Sequence, residues 1–319
     1  MAAPTNLATT MNIAGNREDL EDVIYRVSPS KTPLISAMKK TKATARLHEW
    51  QTEQLDAVNA ANANYEGDDV ASLDAANTPL RVSNYAQIFR KTLGVSRTQE
   101  VVDKAGRKSE VNRQKVIKGL SLRRDMEAVF CSAQASISET PGTTPRKTGG
   151  FLAWMVTNVS RGPSGANGGF GGGVVAAPTQ GTLRTFTESL LKTTWNTAFG
   201  NGADPSIAMM GGSLKQEFSA FTGIADIRAE VKGRNQATII AGAEVYVGDF
   251  GELMLVPHPY AFTRDMLAID PEYASVATLD GFKTEDLAKT GDSQRKIMTH
   301  EAALEVANER AHFNVADIQ

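Results

Sequence analysis

The sequence predicts an α+β protein with extended appendages, and three observations carry that reading. The run from Ser109 to about Ala135 has helical composition behind a serine suited to cap it. Ala45 to Gln51 and Leu80 to Arg90 alternate with the period of a strand, and helices and short strands intermix from Gly181 to Val256. The chain has 319 residues, 41% of them hydrophobic, enough for one large domain or two ordinary ones that bury roughly three quarters of the unfolded surface. No internal repeat is visible.

In chain order, residues 1–45 read as an extended arm, with a short helix at Glu18 to Arg26 and turns at Ser28-Pro29 and Thr32-Pro33. Residues 46–95 read as a β-hairpin extension whose second strand puts Leu80, Val82, Ala86 and Ile88 on one face. Its tip, AANANYEGDDVASLDAANT, is nearly devoid of large apolar groups. Structureless loops beyond about 15 residues are uncommon in compact domains, so this tip is either disordered or meets another molecule. Together with the extended arm of residues 1–45, it argues for self-assembly. Residues 96–180 hold the long helix and a glycine-broken stretch. On the helix, Val116, Ile117 and Leu120 share one face, while Leu122, Met126, Val129, Phe130 and Ala133 share another. That pattern suits a helix that changes packing partners, with Gly119 at the changeover.

Within the glycine-broken stretch, SRGPSGANGGFGGG invites a phosphate-binding reading. A P-loop needs Lys and Ser or Thr after its last glycine, but Val174-Val175 follows Gly173, and Glu188 lies inside a predicted helix rather than at the acidic position of a dinucleotide fold. A flexible surface loop is the expectation. Residues 181–260 predict a helix from Gly181 to Phe199 on Leu183, Phe186, Leu190, Leu191 and Trp195, then a strand at Ser206 to Met210 and a helix at Ser213 to Phe221. Strands at Thr238 to Val247 and Leu253 to Val256 flank a Gly248-Asp249-Phe250-Gly251 turn. In residues 261–319, the core EAALEVANERA consists of strong helix formers, yet Ala302, Leu304 and Val306 alternate with Glu301, Ala303 and Glu305. The phase has changed by Ala311, Phe313 and Val315. We expect a strand with a bulge or bend near Asn308 to Arg310.

Net charge is −2, but its distribution is uneven. Leu47 to Leu80 holds seven acids and no Lys or Arg; Arg90 to Arg124 holds eleven basic residues against three acids. Such asymmetry guides association between copies or faces a polyanion, and its simpler reading is solvated surface. The single cysteine, Cys131, excludes an intramolecular disulfide and sits in an apolar run as a small buried hydrophobe. No apolar run is long enough for a membrane span, and MAAPTNLATT lacks a signal-peptide pattern.

Catalytic patterns find no support. His48, His258, His300 and His312 are separated in sequence with no metal-ligand spacing, and there is no GxSxG elbow. Glu66, Asp68 and Asp69 lack the alternating oxygen ligands of an EF-hand. We therefore expect no catalytic residue, cofactor or metal. The rival readings are a cytosolic α/β enzyme with a mobile acidic lid loop and a nucleic-acid-binding module centred on the basic helix.

Several blocks in collinear order resemble those of the major capsid proteins of tailed double-stranded DNA bacteriophages, with the Hong Kong 97 fold: SKTPLISAM, Leu122 to Glu127 on the helix, FTG at Phe221 to Gly223, LAKTGDSQRK and LEVANERAH. The resemblance covers roughly 280 residues. It implies an N-terminal arm (1–45), an extended E-loop (46–95), a spine helix and first part of a peripheral domain (96–180), an axial domain (181–260) and a return to the peripheral domain with a closing strand (261–319).

By that resemblance the chain is a non-enzymatic subunit that forms hexamers and pentamers of an icosahedral head. The head encloses packaged double-stranded DNA without sequence specificity and is assembled in the host cytoplasm. Glu66, Asp68 and Asp69 become intersubunit E-loop contacts, and Arg107, Lys108, Arg113, Lys115, Lys118, Arg123 and Arg124 a basic surface facing a neighbour or DNA. Some relatives cross-link their shells through an E-loop lysine; Leu47 to Leu80 has none, so non-covalent overlap or a decoration protein is expected to stabilise the shell. The short arm implies a separate scaffolding protein and no large N-terminal cleavage, and a portal completes the expected partners.

Overall fold

The computed structural model describes residues 28–29, 31–67, 69, 73–221 and 245–319. The helix expected at Glu18 to Arg26 and residues 238–244 of the expected strand lie outside these.

The arm's described end forms α1 (Pro33–Ala37) and β1 (Lys39–Lys42). β2 (Leu47–Thr52) and β3 (Leu80–Tyr85) pair as the expected antiparallel hairpin, from Leu47 against Tyr85 to Thr52 against Leu80. β4 (Gln87–Ser96) and α2 (Arg97–Val101) follow. The continuous face expected from Leu80 to Ile88 breaks at Ala86: Val82 and Ala86 are buried, but Leu80 and Ile88 are exposed. The cause is a change of partner. β3 pairs with β2, whereas β4 pairs with a strand near the C-terminus, so Phe89, Leu93 and Val95 take over the inner face.

The spine helix α3 spans Glu110–Phe130, shorter than expected at its C-terminal end. Ser109 caps it, its hydroxyl accepting from the Asn112 N–H at 3.2 Å. Leu122, Met126 and Phe130 are buried as their face predicts, but on the other face Val116 and Leu120 are exposed and Ile117 is only half-buried, so that face is little covered within the described residues. After α4 (Phe151–Trp154) and β5 (Val159–Ser160), the glycine stretch is not wholly loop. β6 (Gly169–Gly171) and β7 (Val174–Ala176) form a tight hairpin in which Gly172 and Gly173, both at positive φ, supply the backbone that a two-residue turn demands. Phe170 stacks on Trp154 at 5.9 Å, 4° from parallel, which anchors the hairpin.

α5 (Glu188–Gly200) starts later than its apolar spacing predicts. The N–H groups of Arg184 and Phe186 donate to the carbonyls of Asp317 and Gln319, so residues 184–186 run alongside the end of the chain and the helix opens only at Thr187, its cap. β8 (Ile207–Gly211), α6 (Gly212–Phe218), β9 (Val245–Gly248) and β10 (Gly251–His258) follow, the last two joined at the expected Gly248–Gly251 turn.

The chain continues through β11 (Asp265–Ile269), β12 (Ala274–Asp286), β13 (Ser293–Val306) and β14 (Phe313–Ala316). Two larger sheets result, ordered β1-β12-β13-β4 and β5-β14-β11-β8-β10-β9. β13 is a strand despite its helix-forming composition because it is paired on both sides, with β12 and β4. The bend falls where the phase change predicts it, but the device is a 3-10 turn at Glu309–Ala311 capped by Asn308, not a bulge. This turn carries the chain from one sheet into the other. Within residues 261–319, β12 and β13 pair in the four-stranded sheet, whereas β11 and β14 pair in the sheet that also holds β8 and β10.

The six-stranded sheet separates two cores by its alternation. Met209, Leu267 and Ile269 face the core built on α3, with Leu34, Phe89, Phe130, Phe151 and Leu304. Met210, Met266, Ala268 and Phe313 face the core under α5 and α6, with Leu191, Trp195 and Phe218. Each such Phe or Leu contributes roughly 1.5–3 kcal/mol on burial.

Candidate intersubunit surfaces

The β2–β3 hairpin projects residues 53–79 as an extended loop without regular strands or helices among the described residues. Glu66 and Asp69 are exposed on it; Asp68 lies outside the described residues. Sequence composition undersold one property of this loop. Leu55, Val58, Tyr65 and Leu73 are 88–99% exposed, so the tip combines acids with apolar side chains that its own chain leaves in water.

The structure divides the basic segment. Arg107 and Arg113 both engage Glu110, Arg113 at 2.9 Å, and Arg113 with Gln114 and Arg107 holds the Glu110 carboxyl down to about 2. These two arginines stabilise the start of α3. Arg123 donates to the Thr32 hydroxyl at 2.8 Å and the Ser36 hydroxyl at 3.2 Å, and Arg124 lies 5.4 Å from the centre of the Tyr260 ring. They fasten the arm and the segment after β10 to the spine. Lys108, Lys115 and Lys118 make no ion pair among the described residues.

A buried cluster that sequence spacing did not reveal lies where the arm, α3 and the end of β10 meet. Glu127, fully buried, accepts the N–H groups of Leu34 at 2.6 Å and Ile35 at 2.8 Å. His258 Nε2 lies 3.2 Å from Glu127 Oε1 and 3.6 Å from Cys131 Sγ. Three potential metal ligands thus converge, but their hydrogen bonds argue against a metal centre. The Ala261 N–H donates to His258 Nδ1 at 2.9 Å, which leaves the imidazole proton on Nε2, the atom that would have to bind the ion. Burial, aided by Glu127, pushes the Cys131 thiol well up, which disfavours the thiolate. The group is a joint that ties three segments together. Its signal in the sequence is that Leu34-Ile35 and Glu127 fall within two of the collinear blocks that carry the family resemblance, SKTPLISAM and Leu122 to Glu127.

A second missed hub is Asp317, 1% exposed, which accepts from Arg264 Nη2 at 2.8 Å and the Gly162 N–H at 3.2 Å, with Arg161 Nη1 at 3.8 Å. Nothing in the local sequence marks it.

Among the described residues the spine helix, long hairpin and paired sheets thus hold two charged surfaces and interior joints but no constellation suited to catalysis. A model of the SU10 major capsid protein family matches residues 3–319. The chain belongs to the SU10 major capsid protein family. This capsid protein is 33% identical over 135 residues to the major capsid protein of Escherichia phage Phieco32, a match spanning 42% of the chain and only 38% of that relative. Its fold resembles the structure from Microbacterium phage Oxtober96, with a TM-score of 0.60, 11% identity and 95% and 96% of the two chains covered. It also resembles the capsid of a native GTA particle, with a TM-score of 0.58, 13% identity and both chains covered in full. A structure of phage G gp27 major capsid proteins and gp26 decoration proteins matches with a TM-score of 0.55 and 9% identity, again over both full chains. The fold is that of Hong Kong 97 capsids, and the family to which the chain belongs is one of structural major capsid proteins, not of enzymes.

Proposed function

We propose that this capsid protein assembles as hexamers and pentamers into an icosahedral head that encloses double-stranded DNA, in the host cytoplasm, with a separate scaffolding protein, a portal and a decoration protein. The observation that carries the reading is the loop at 53–79: a long hairpin extension whose Leu55, Val58, Tyr65 and Leu73 are bare in the single chain. Apolar groups displayed this way are satisfied by association. Glu66, Asp68 and Asp69 serve as intersubunit contacts on this loop. Residues 1–45 act as the arm and 46–95 as the E-loop, with the four-stranded sheet and α3 forming the peripheral body and the six-stranded sheet the axial one.

Of the basic surface, Lys108, Lys115 and Lys118 are the cations left for a neighbour or for DNA phosphates, since Arg107, Arg113, Arg123 and Arg124 hold the subunit together. Sedimentation and electron microscopy of the purified protein test the proposal: capsomers or shells are expected. A persistent compact monomer whose loop closes over a bound small molecule would support an enzyme with an acidic lid instead.

A further inference from the structure

The acidic loop needs a basic receiving surface, and one lies outside the Arg90 to Arg124 segment. β1 is the terminal strand of its sheet, paired with β12 on one side and with no strand on the other among the described residues. Residues 39–46, KKTKATAR, carry four cations and no acid. Lys39, Lys40, Lys42 and Arg46 are all exposed and make no ion pair among the described residues. The Arg90 to Arg124 segment is more heavily engaged, with Lys91 on Asp125, Arg97 on Asp292, and Arg107 and Arg113 on Glu110.

Lysines on an open strand edge discourage indiscriminate pairing with other strands. An extended segment of opposite charge turns the same lysines into attraction. Residues 53–79 fit that description, with six acids, no cation, and no helix or strand of their own among the described residues. We propose that the β1 edge, through Lys39, Lys40 and Lys42, receives the acidic loop of a second copy of this chain. The inference rests on the reading of the loop as an intersubunit contact and adds where it lands. A DNA duplex would meet the same cations. However, the open edge also presents main-chain carbonyls, and a phosphodiester has no donor for them, whereas a peptide strand pairs both N–H and C=O.

Charge exchange tests the proposal. The variant Lys39→Glu/Lys40→Glu/Lys42→Glu should lower shell yield by at least about tenfold, the scale of one to several lost interfacial charge pairs, with an unchanged melting temperature of the unassembled subunit. Adding Glu66→Lys/Asp68→Lys/Asp69→Lys to the same chain should restore shells. Carbodiimide coupling of unmodified shells, which needs no variant to fold, should yield peptides joining Lys39 to Lys42 with Glu66 to Asp69 of a different chain. If reversing the loop acids abolishes shells while reversing the β1 lysines does not, the landing site is elsewhere and the inference fails, though the loop's role stands. If neither reversal matters, both readings fail. Lysine-reversed subunits that form shells normally but lose DNA retention would assign the edge to DNA and overturn the proposal.

Discussion

The Glu127 carboxylate accepts the main-chain N–H of Leu34 at 2.6 Å, across 93 residues of sequence. Its second oxygen takes the Ile35 N–H, so α1 is capped by the spine helix, its own Thr32 side chain forming no cap. Arg123 binds Thr32 and Ser36 a turn away. The arm is thereby docked by main-chain and hydroxyl contacts as well as by burial of Leu34 and Ile35.

Replacing Glu127 with Ala should therefore leave two buried N–H groups without acceptors and cost about 3 kcal/mol. Glu127→Gln should cost less, since it keeps one acceptor oxygen. Chemical denaturation measures the loss, and limited proteolysis should cut first near residues 28–38. Equal resistance of the arm in both variants would show that Glu127 does not dock it.

Asp317 is expected to be as sensitive despite lying close to the end of the chain. Asp317→Asn preserves shape and tolerates the left-handed backbone at φ 57°, but leaves Arg264 and Arg161 without their carboxylate. A loss of about 3 kcal/mol is expected by urea denaturation. A change within ~0.5 kcal/mol would mean the arginines are neutralised by other groups.

Glu305 gives stability a limit in acid. The hydrogen bond from His48, with those from Ser275 and Thr41, lowers its carboxyl to about 2. Because the folded value lies below the unfolded one, near ~4.3, its contribution is complete above the unfolded value and is lost as pH falls toward 2. Glu305→Gln should flatten the stability curve in that window and cost about 1–2 kcal/mol at pH 7. An unchanged acid limb in the variant would assign the limb to other carboxylates.

His312 acts at milder pH. Complete burial depresses it to about 3, so the folded state keeps it neutral while the unfolded chain, near ~6.5, takes a proton. Stability should fall as pH drops below the unfolded value toward 3, by up to about 1.4 kcal/mol per pH unit. His312→Asn, which retains an acceptor for the Asp270 N–H, should remove that slope in pH-resolved denaturation. A slope that persists undiminished would trace to another group.

The elements with strong local signals were legible. Ser109 marks the start of α3, the alternation of Ala302, Leu304 and Val306 outweighs helix composition, and the phase change places the bend at residues 308–310. What sequence hid were effects of distant pairing. The late start of α5 follows from Arg184 and Phe186 donating to Asp317 and Gln319, and the broken face at Ala86 follows from a switch of strand partner. The charged surfaces show the same division. The acidic loop is visible as a run, but which arginines of the basic run are already engaged depends on contacts such as Arg123 with Thr32, 91 residues apart. Glu127 and Asp317 act through partners that no local spacing reveals.

The crossing of the chain between sheets also orders its folding in time. β5 waits beside a vacant position until residues 313–316, translated some 150 residues later, arrive to lie between it and β11. Parallel pairing over such a separation is slow to form. The six-stranded sheet therefore closes only once the end of the chain is in place, and the core on α3 likewise waits for β13, which supplies Met298 and Leu304.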